Sequence, residues 1–278
     1  MSGKFDGKVV LISGGARGQG RSHAVEFASE GADIITFDIC ERVHAQGAPA
    51  ASEADLAETV QLVESLGRKI IAGKVDARDH AGVHAFVNDA VESFGRIDVV
   101  VANAGINGPG VTVLETSIED WQSVIDTNLT GVFNTVTAAL PHLVKQGEGG
   151  AIILVSSAIA LRTMPHLAPY ASAKHGLAGF MRTLALELGE HSIRVNTVHP
   201  TTVNTPLLVN DEIMHLFRPD LENPTVEDAI PVLRELNVLP IPWVEPKDIS
   251  KAVAFLASED ARYITGALIP VDAGMSLK

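Results

Sequence analysis

The sequence predicts a doubly wound α/β fold: a parallel sheet of about seven strands, with helices on both faces, formed as one domain over residues 1–278. Three observations predict it. Short β-branched runs alternate with longer amphipathic stretches, the runs are apolar throughout rather than at every second position, and a glycine-rich turn follows the first of them. A chain of 278 residues is long enough to bury one large core, and α/β folds of this length commonly form a single domain.

In order, the strand runs are KVVLIS (8–13), ADIITFD (32–38), KIIAGKVD (69–76), IDVVVANAG (97–105), AIILVSS (151–157), IRVNTVHP (193–200) and GALIPVDAG (266–274). Each is read as buried on both faces, as in a parallel sheet covered on both sides. Helical stretches fall between them, around 20–30, 53–67, 79–94, 117–144, 170–190 and 247–258. Two segments break the alternation: CERVHAQGAPAASEAD (40–55) and the run from Pro200 to about Pro246. Long irregular segments in compact domains are usually functional covers or disordered, so both are candidates for closing over a ligand. No internal repeat, low-complexity tract or linker interrupts the chain.

Composition narrows the function classes. Apolar residues make up 46% of the chain and mean hydropathy is +0.20, with no unbroken apolar run of the ~18 residues that a membrane helix needs. The N-terminal MSGKFDGKVVLISGG lacks a basic-then-apolar leader, which leads to the expectation of a cytoplasmic protein. A formal charge of −13 without a basic tract argues against nucleic acid and anionic membrane surfaces as partners. Cys40 is the only cysteine, so no disulfide forms within the chain; an inert packing role is expected.

The first strand runs into SGGARGQGRSHAVEF, where Gly14, Gly18 and Gly20 mark the start of a helix. Glycines let the backbone turn tightly and approach a pyrophosphate, while the helix start presents free N–H groups. The G-x-x-x-G-x-G spacing is weak alone, since glycine also ends strands for purely structural reasons. Asp38 strengthens it. Closing the second strand about 20 residues on, its carboxylate can accept both ribose hydroxyls of an adenosine and repel a 2′-phosphate, predicting NAD over NADP. Arg17 argues the other way, as a possible phosphate partner, but a carboxylate at the ribose penalises the phosphate directly. Asp76, after the third strand, is placed for an adenine amino group, and Asn103, Ala104 and Gly105 end the fourth at the same sheet edge.

Tyr170 and Lys174 stand four residues apart on an expected helix and so share one face. A nearby ammonium favours the phenolate and is expected to lower the tyrosine pKa toward a range useful for a base. Ser157 ends the fifth strand at the same edge, where its hydroxyl can hold a substrate oxygen, and the adjacent Ser156 should point away.

Taken together, Ser157, Tyr170-x-x-x-Lys174, the glycine turn, NAG (103–105) and Asn128 in DTNLTGVFNT resemble the short-chain dehydrogenase/reductase family along essentially the whole chain. The resemblance implies a Rossmann-like fold, usually a homotetramer, that interconverts an alcohol and a carbonyl with a nicotinamide cofactor. It implies that Tyr170 is general base or acid, that Ser157 orients the oxygen, that Lys174 holds the nicotinamide ribose, and that Asn128 secures a water in a proton relay. Gly14, Arg17, Gly18, Gln19, Gly20, Asp38, Asp76, Asn103, Ala104, Gly105, Tyr170, Lys174, Pro200, Val203 and Thr205 form the implied cofactor set, with Val203 and Thr205 available for the nicotinamide carboxamide. The chain departs from the commonest pattern at Ser13, where threonine is usual, and at Thr201, which replaces a glycine after proline in HPTTVNTP.

GARGQGRSHA, FDIC followed by an extended segment, FRPDLENPT and LPIPWVEPKDIS are similar to a narrower, mycofactocin-associated group that includes carveol dehydrogenases. That similarity implies NAD held between turnovers and reoxidised in place by mycofactocin. Residues 40–55 directly follow Asp38 and could fold over the adenosine; an ordinary surface loop reads equally well from the residues alone. Leu207, Leu208, Ile213, Met214, Leu216 and Phe217 form an apolar set on an expected helical lid within 200–246, suited to a hydrophobic alcohol or ketone. LRTMPHLAP (161–169) adds Met164, Leu167, His166 and Arg162 nearby, the arginine expected in solvent.

Other readings are weaker. His80 and His84 have i,i+4 spacing but lack a zinc hydrolase's intervening glutamate and face away from the expected site, so no metal is expected. His175 and Trp243 are read as packing, interface or pocket wall. A non-catalytic NAD-binding sensor would need no Ser157, Tyr170 and Lys174 set, and an epimerase or dehydratase of the extended relatives would carry a larger C-terminal domain.

Overall fold

The computed structural model describes residues 3–43 and 49–278. Seven strands form one parallel sheet: β1 (Val9–Ser13), β2 (Asp33–Asp38), β3 (Ile70–Lys74), β4 (Val99–Ala102), β5 (Gly150–Val155), β6 (Ile193–Pro200) and β7 (Leu268–Val271). Their order is β3-β2-β1-β4-β5-β6-β7, so the strand sequence reverses between β1 and β4. Ligands in such sheets bind beyond the strands' carboxyl ends at that reversal.

The α-helices among the described residues are α1 (Gly18–Ser29), α2 (Glu53–Ser65), α3 (His80–Phe94), α4 (Ile118–Ile125), α5 (Gly131–Gln146), α6 (Ala168–Leu188), α7 (Asp211–Phe217), α8 (Val226–Leu236) and α9 (Pro246–Ala257). Because strand side chains alternate, each inner strand supplies two cores. Leu11, Ile35, Val100, Ile152 and Val195 pack with Val87 of α3, Val136 of α5 and Met181 of α6. Val10, Ile12, Ile34, Val101 and Ile153 pack with Phe27 of α1 and Val253 of α9 on the other face. Both faces must therefore be apolar, which is why the strand runs do not alternate.

Three details differ from expectation. Burial on both faces holds for the inner strands, whereas the edge strands β3 and β7 are only half-buried. The stretch expected as one helix over 117–144 is α4 and α5 joined by a wider π turn at Asp126–Thr130. That turn carries Asn128, whose buried carboxamide is fastened to the loop after β4. Such turns within helices are frequent at functional sites. Finally, the 200–246 segment contains α8 as well as the expected lid helix, α7. Helix α8 starts on a Thr225–Asp228 capping box and buries Ala229 and Leu233, with Pro231 inside it. Trp243 packs into the small cluster these residues form with Leu208 and Met214.

Candidate active site

The first half of the site is a cleft at the carboxyl ends of β1, β2 and β4. Gly14 and Gly18 carry positive φ values of 71° and 56°, a conformation that L side chains rarely adopt. Gly20 lies beneath the cleft instead of on its wall. A Cβ there would overlap the carbonyl oxygen of Gly14, so its part is to let α1 pack against the turn. Sequence reasoning passed over Gly15, where a Cβ would overlap the Thr36 hydroxyl. Arg17 stands at the capping position before α1 and supplies no side-chain cap, so the helix's first N–H groups are left for a ligand.

Ser13 keeps the function of the usual threonine: its hydroxyl accepts the N–H groups of Asn103 (3.0 Å) and Ala104 (3.1 Å). The Asn103 side chain donates to the carbonyls of Ser13 (3.0 Å) and Gly14 (3.2 Å), tying β4 to the glycine turn. Asn103, Ala104 and Gly105 all line the cleft.

Asp38 reaches the same cleft, each carboxylate oxygen accepting one backbone N–H, from Ala16 and Cys40, both at 3.1 Å. Its remaining lone pairs can accept ribose hydroxyls. The Arg17 guanidinium, also on the wall, donates to the Pro49 carbonyl. Arg17 thus holds the segment after β2, which removes the main argument for a 2′-phosphate. Lys74 clamps that segment from the far side, pairing with Glu41 (2.6 Å) and Glu53 (3.2 Å). Positions 44–48 of the expected 40–55 cover lie outside the described residues. Asp76 lines the cleft but is already gripped by Arg78, at 2.6–3.0 Å. Burial pushes its carboxyl up, and the Arg78 hydrogen bonds outweigh this and leave it below the usual range. Cys40 is buried and its thiol is pushed up to about 11 by burial, so it is protonated and unreactive at neutral pH.

The second half is a chamber between the carboxyl ends of β5 and β6 and the 200–246 segment. Ser157 and Tyr170 stand together on its wall. Lys174 is buried one turn along α6, with its ammonium 5.7 Å from the Tyr170 ring centre and donating to the Val155 carbonyl at 2.9 Å. Desolvation lowers the Lys174 pKa to about 8. The expected lowering at Tyr170 is reversed: burial raises its phenol above the ordinary 10, and the neighbouring Ser157 hydroxyl only offsets part of this. Loss of hydration at the buried ring dominates.

Ser156 also lines the chamber, and its hydroxyl donates to the Lys174 carbonyl at 3.1 Å, bracing α6 against β5. The Asn128 carboxamide accepts the Ile106 N–H and donates to the Ile106 carbonyl, both at 2.8 Å, and so fixes the loop after β4, with its second N–H left over. His199, absent from the sequence reading, is buried with Nδ1 2.9 Å from the Ser157 carbonyl and Nε2 2.8 Å from the Thr197 hydroxyl. It supports the serine from behind. Thr201, in place of the usual glycine, needs no left-handed backbone, and its hydroxyl donates to Asn237 at the end of α8 (2.8 Å). Pro200 and Val203 line this chamber; Thr205 lines both.

Apolar side chains make up much of the second chamber: Ile159, Met164, Leu167, Leu208, Ile213, Leu216, Phe217 and Met275. Arg162 is turned to the Met275 carbonyl at 3.5 Å, and His166 on the wall has a left-handed backbone (φ 67°). His80 and His84 sit on α3 against α5, each hydrogen-bonding one side chain there, Asn134 at 3.1 Å and Thr137 at 3.3 Å. His175 contacts its own helix at the Ala171 carbonyl.

Comparison with known proteins agrees with this arrangement. The family pattern described as Enoyl-(Acyl carrier protein) reductase matches residues 14–276. A putative short-chain type dehydrogenase/reductase of Mycolicibacterium smegmatis is 56% identical, covering 100% of both chains. The (-)-trans-carveol dehydrogenase of Rhodococcus erythropolis is 50% identical over 99% of each. The crystal structure of carveol dehydrogenase from Mycobacterium avium in complex with NAD superposes with a TM-score of 0.98 at 49% identity, covering 99% of this chain and 100% of that one. With a glycine turn, an acidic end to β2, and serine, tyrosine and lysine meeting at the mouths of β5 and α6, the chain belongs to the short-chain dehydrogenase/reductase family.

Proposed function

We propose that this chain is an NAD-dependent oxidoreductase that interconverts a hydrophobic secondary alcohol, carveol or a terpene-like relative, and its ketone. The observation that carries the reading is the position of Ser157 and Tyr170, the polar pair on the wall of an apolar chamber that adjoins the dinucleotide cleft. The cleft fits the cofactor: uncapped N–H groups face the pyrophosphate position and Asp38 suits an unphosphorylated ribose. NAD supplies the hydride acceptor when bound.

The chain's own residues supply the rest. Ser157 donates a hydrogen bond to the substrate oxygen and orients it toward Tyr170. During oxidation the Tyr170 oxygen takes the alcohol proton as the phenol releases its own to solvent, and during reduction the phenol donates its proton to the oxygen of the forming alcohol. Lys174, held on the Val155 carbonyl, places a cation beside the phenol and the nicotinamide ribose position, stabilising negative charge as it develops. Asn128 fixes the loop that carries Ile106 into the cleft. The walls from α7 and α8 exclude water around these groups.

We further propose that NAD stays bound between turnovers and is recycled by mycofactocin. The segment after β2, pinned by Arg17 and Lys74 beside Asp38, supports slow release. No helix among the described residues is long and apolar enough to cross a membrane. A cytoplasmic homotetramer is the proposed form, supported by exposed apolar side chains on and beside α4 and α5, namely Leu114, Ile118, Trp121 and Phe133. Light scattering that finds a monomer rejects it.

The test of function is the ultraviolet spectrum of extensively dialysed protein before and after carveol, with no NAD added. A band near ~340 nm that forms once and persists until an artificial acceptor is supplied supports both proposals. Turnover only with free NAD leaves an exchanging dehydrogenase and rejects the mycofactocin reading. No reduction under either condition rejects the substrate class.

A further inference from the structure

Four residues line both chambers and form the partition between them: Gln19 near the start of α1, Asn107 after β4, and Thr205 and Leu207 after β6. Two of the three polar side chains are occupied within the protein. Asn107 donates to the Leu207 carbonyl at 2.9 Å, and the Thr205 hydroxyl donates to the Val203 carbonyl at 3.4 Å. Gln19 differs. Its side-chain oxygen is buried and meets no hydrogen-bond donor among the described residues. Burying an acceptor without a partner is unfavourable, and nearly all such groups in folded proteins are satisfied. An unsatisfied acceptor in a wall that two ligands share points to a donor carried by one of them.

The chemistry of the ligands narrows the donor. Pyrophosphate oxygens at the start of α1 only accept. The hydroxyl of a hydrophobic alcohol is taken by Ser157 and Tyr170, and such a substrate offers no second donor. The nicotinamide ring must lie where the dinucleotide cleft meets the substrate chamber, and its carboxamide carries two N–H groups. We propose that Gln19 is a positioning residue for the nicotinamide: its side-chain oxygen accepts an N–H of the ring's carboxamide and fixes which ring face is turned to the substrate chamber. A glutamine two residues into a helix whose start serves phosphates thus acts on the opposite end of the cofactor's reactive half. This inference rests on NAD as the cofactor and is independent of how the reduced form is reoxidised.

The test compares NAD with 3-acetylpyridine adenine dinucleotide, in which a methyl group replaces the carboxamide NH₂ and everything else, including both ribose hydroxyl pairs and the pyrophosphate, is kept. Full-length wild type, Gln19→Leu and Gln19→Glu are stripped of resident dinucleotide, and dissociation constants for both dinucleotides are measured. Where stripping fails, urea unfolding and refolding with each dinucleotide loads the site, and release rates replace the constants. Wild type should prefer NAD, and Gln19→Leu should weaken NAD about five- to tenfold while leaving the analogue within about twofold, so the preference disappears. Gln19→Glu, which keeps an acceptor oxygen, should retain the preference even if its charge weakens both ligands. Should the leucine variant not fold, Gln19→Met removes the same oxygen. Equal losses for the two dinucleotides, which would place the side chain on pyrophosphate or ribose, overturn the proposal, as does no loss for either. A wild-type protein that binds neither overturns the cofactor assignment together with it.

Discussion

Replacing Lys174 by methionine should make the protein slightly more stable while removing most of its activity. The lysine is 3% exposed, and burial lowers its pKa from 10.5 to about 8. At pH 7 the ammonium is charged in both folded and unfolded chains, and keeping it charged inside costs about 3 kcal/mol, from the gap between those values at ~1.36 kcal/mol per pH unit. Methionine fills a similar volume without that cost. It also loses the hydrogen bond to the Val155 carbonyl, which offsets about 2 kcal/mol. The net gain is ~1 kcal/mol, or a melting temperature higher by a few degrees. The pH dependence is the stricter check. Between pH 8 and 10.5 the unfolded chain binds more protons at this site than the native one, so wild-type stability rises with pH relative to Lys174→Met, by up to ~1.36 kcal/mol per unit. Below pH 8 the difference should be flat. Denaturation curves for both proteins at matched cofactor occupancy from pH 7 to 10.5 measure it, and other titrating groups cancel in the difference. The accompanying fall in kcat should be at least ~10²-fold. A variant more than ~2 kcal/mol less stable at pH 7, or a flat difference through pH 10.5, would show that Lys174 is a structural support and refute the reasoning.

Tyr170→Phe keeps the ring and deletes the hydroxyl, so kcat should fall about 10²- to 10⁴-fold with NAD affinity unchanged; intact activity would sink the catalytic assignment. Asp38→Ser removes the carboxylate that opposes a 2′-phosphate, and the kcat/KM ratio for NADP over NAD should rise at least ~10-fold, with an unchanged ratio counting against Asp38 as the discriminator. His23, buried between α1 and α9 with Nδ1 2.8 Å from Ser250, has its pKa pushed down from 6.5 to about 3 by burial. The native protein stays neutral there while the unfolded chain takes a proton, so stability should fall as pH drops from 6.5 toward 3, by up to ~5 kcal/mol. His23→Leu should remove that part of the acid slope, and an unchanged slope would place the acid sensitivity elsewhere.

The parallel strands were readable because a strand between two helical layers has no polar face, and runs such as VVLIS and AIILV leave little alternative. Tyr170 and Lys174 were readable because a helix places residues four apart on one side. What the sequence hid depends on contacts between distant segments. Asn128 carries the same side chain whether it is free or committed to Ile106, 22 positions earlier. His199 behind Ser157 is a contact across 42 positions with no local signal. Helix α8 was obscured by Pro231 and by an apolar face that only α7 and Trp243 complete. Gly15 lies beside two glycines with clearer roles, and only the approach of Thr36 shows that it too must lack a side chain.

The reversed shift at Tyr170 changes how the proton must move. A phenolate waiting for substrate would need the ammonium to overcome the loss of hydration, and in the folded protein burial wins and the phenol stays neutral at physiological pH. A neutral phenol is ready to donate, so reduction of a ketone needs no prior proton adjustment. Oxidation requires the phenol to pass its own proton on as it accepts the alcohol's. In the proposed reaction Lys174, with a pKa of about 8, exchanges protons near neutral pH far more readily than an exposed lysine. Burial thus costs Lys174 stability as an ammonium, and the same burial makes it a usable proton partner. On the proposed function, the burial that keeps water from the reacting groups also sets the acidity of Tyr170 and Lys174.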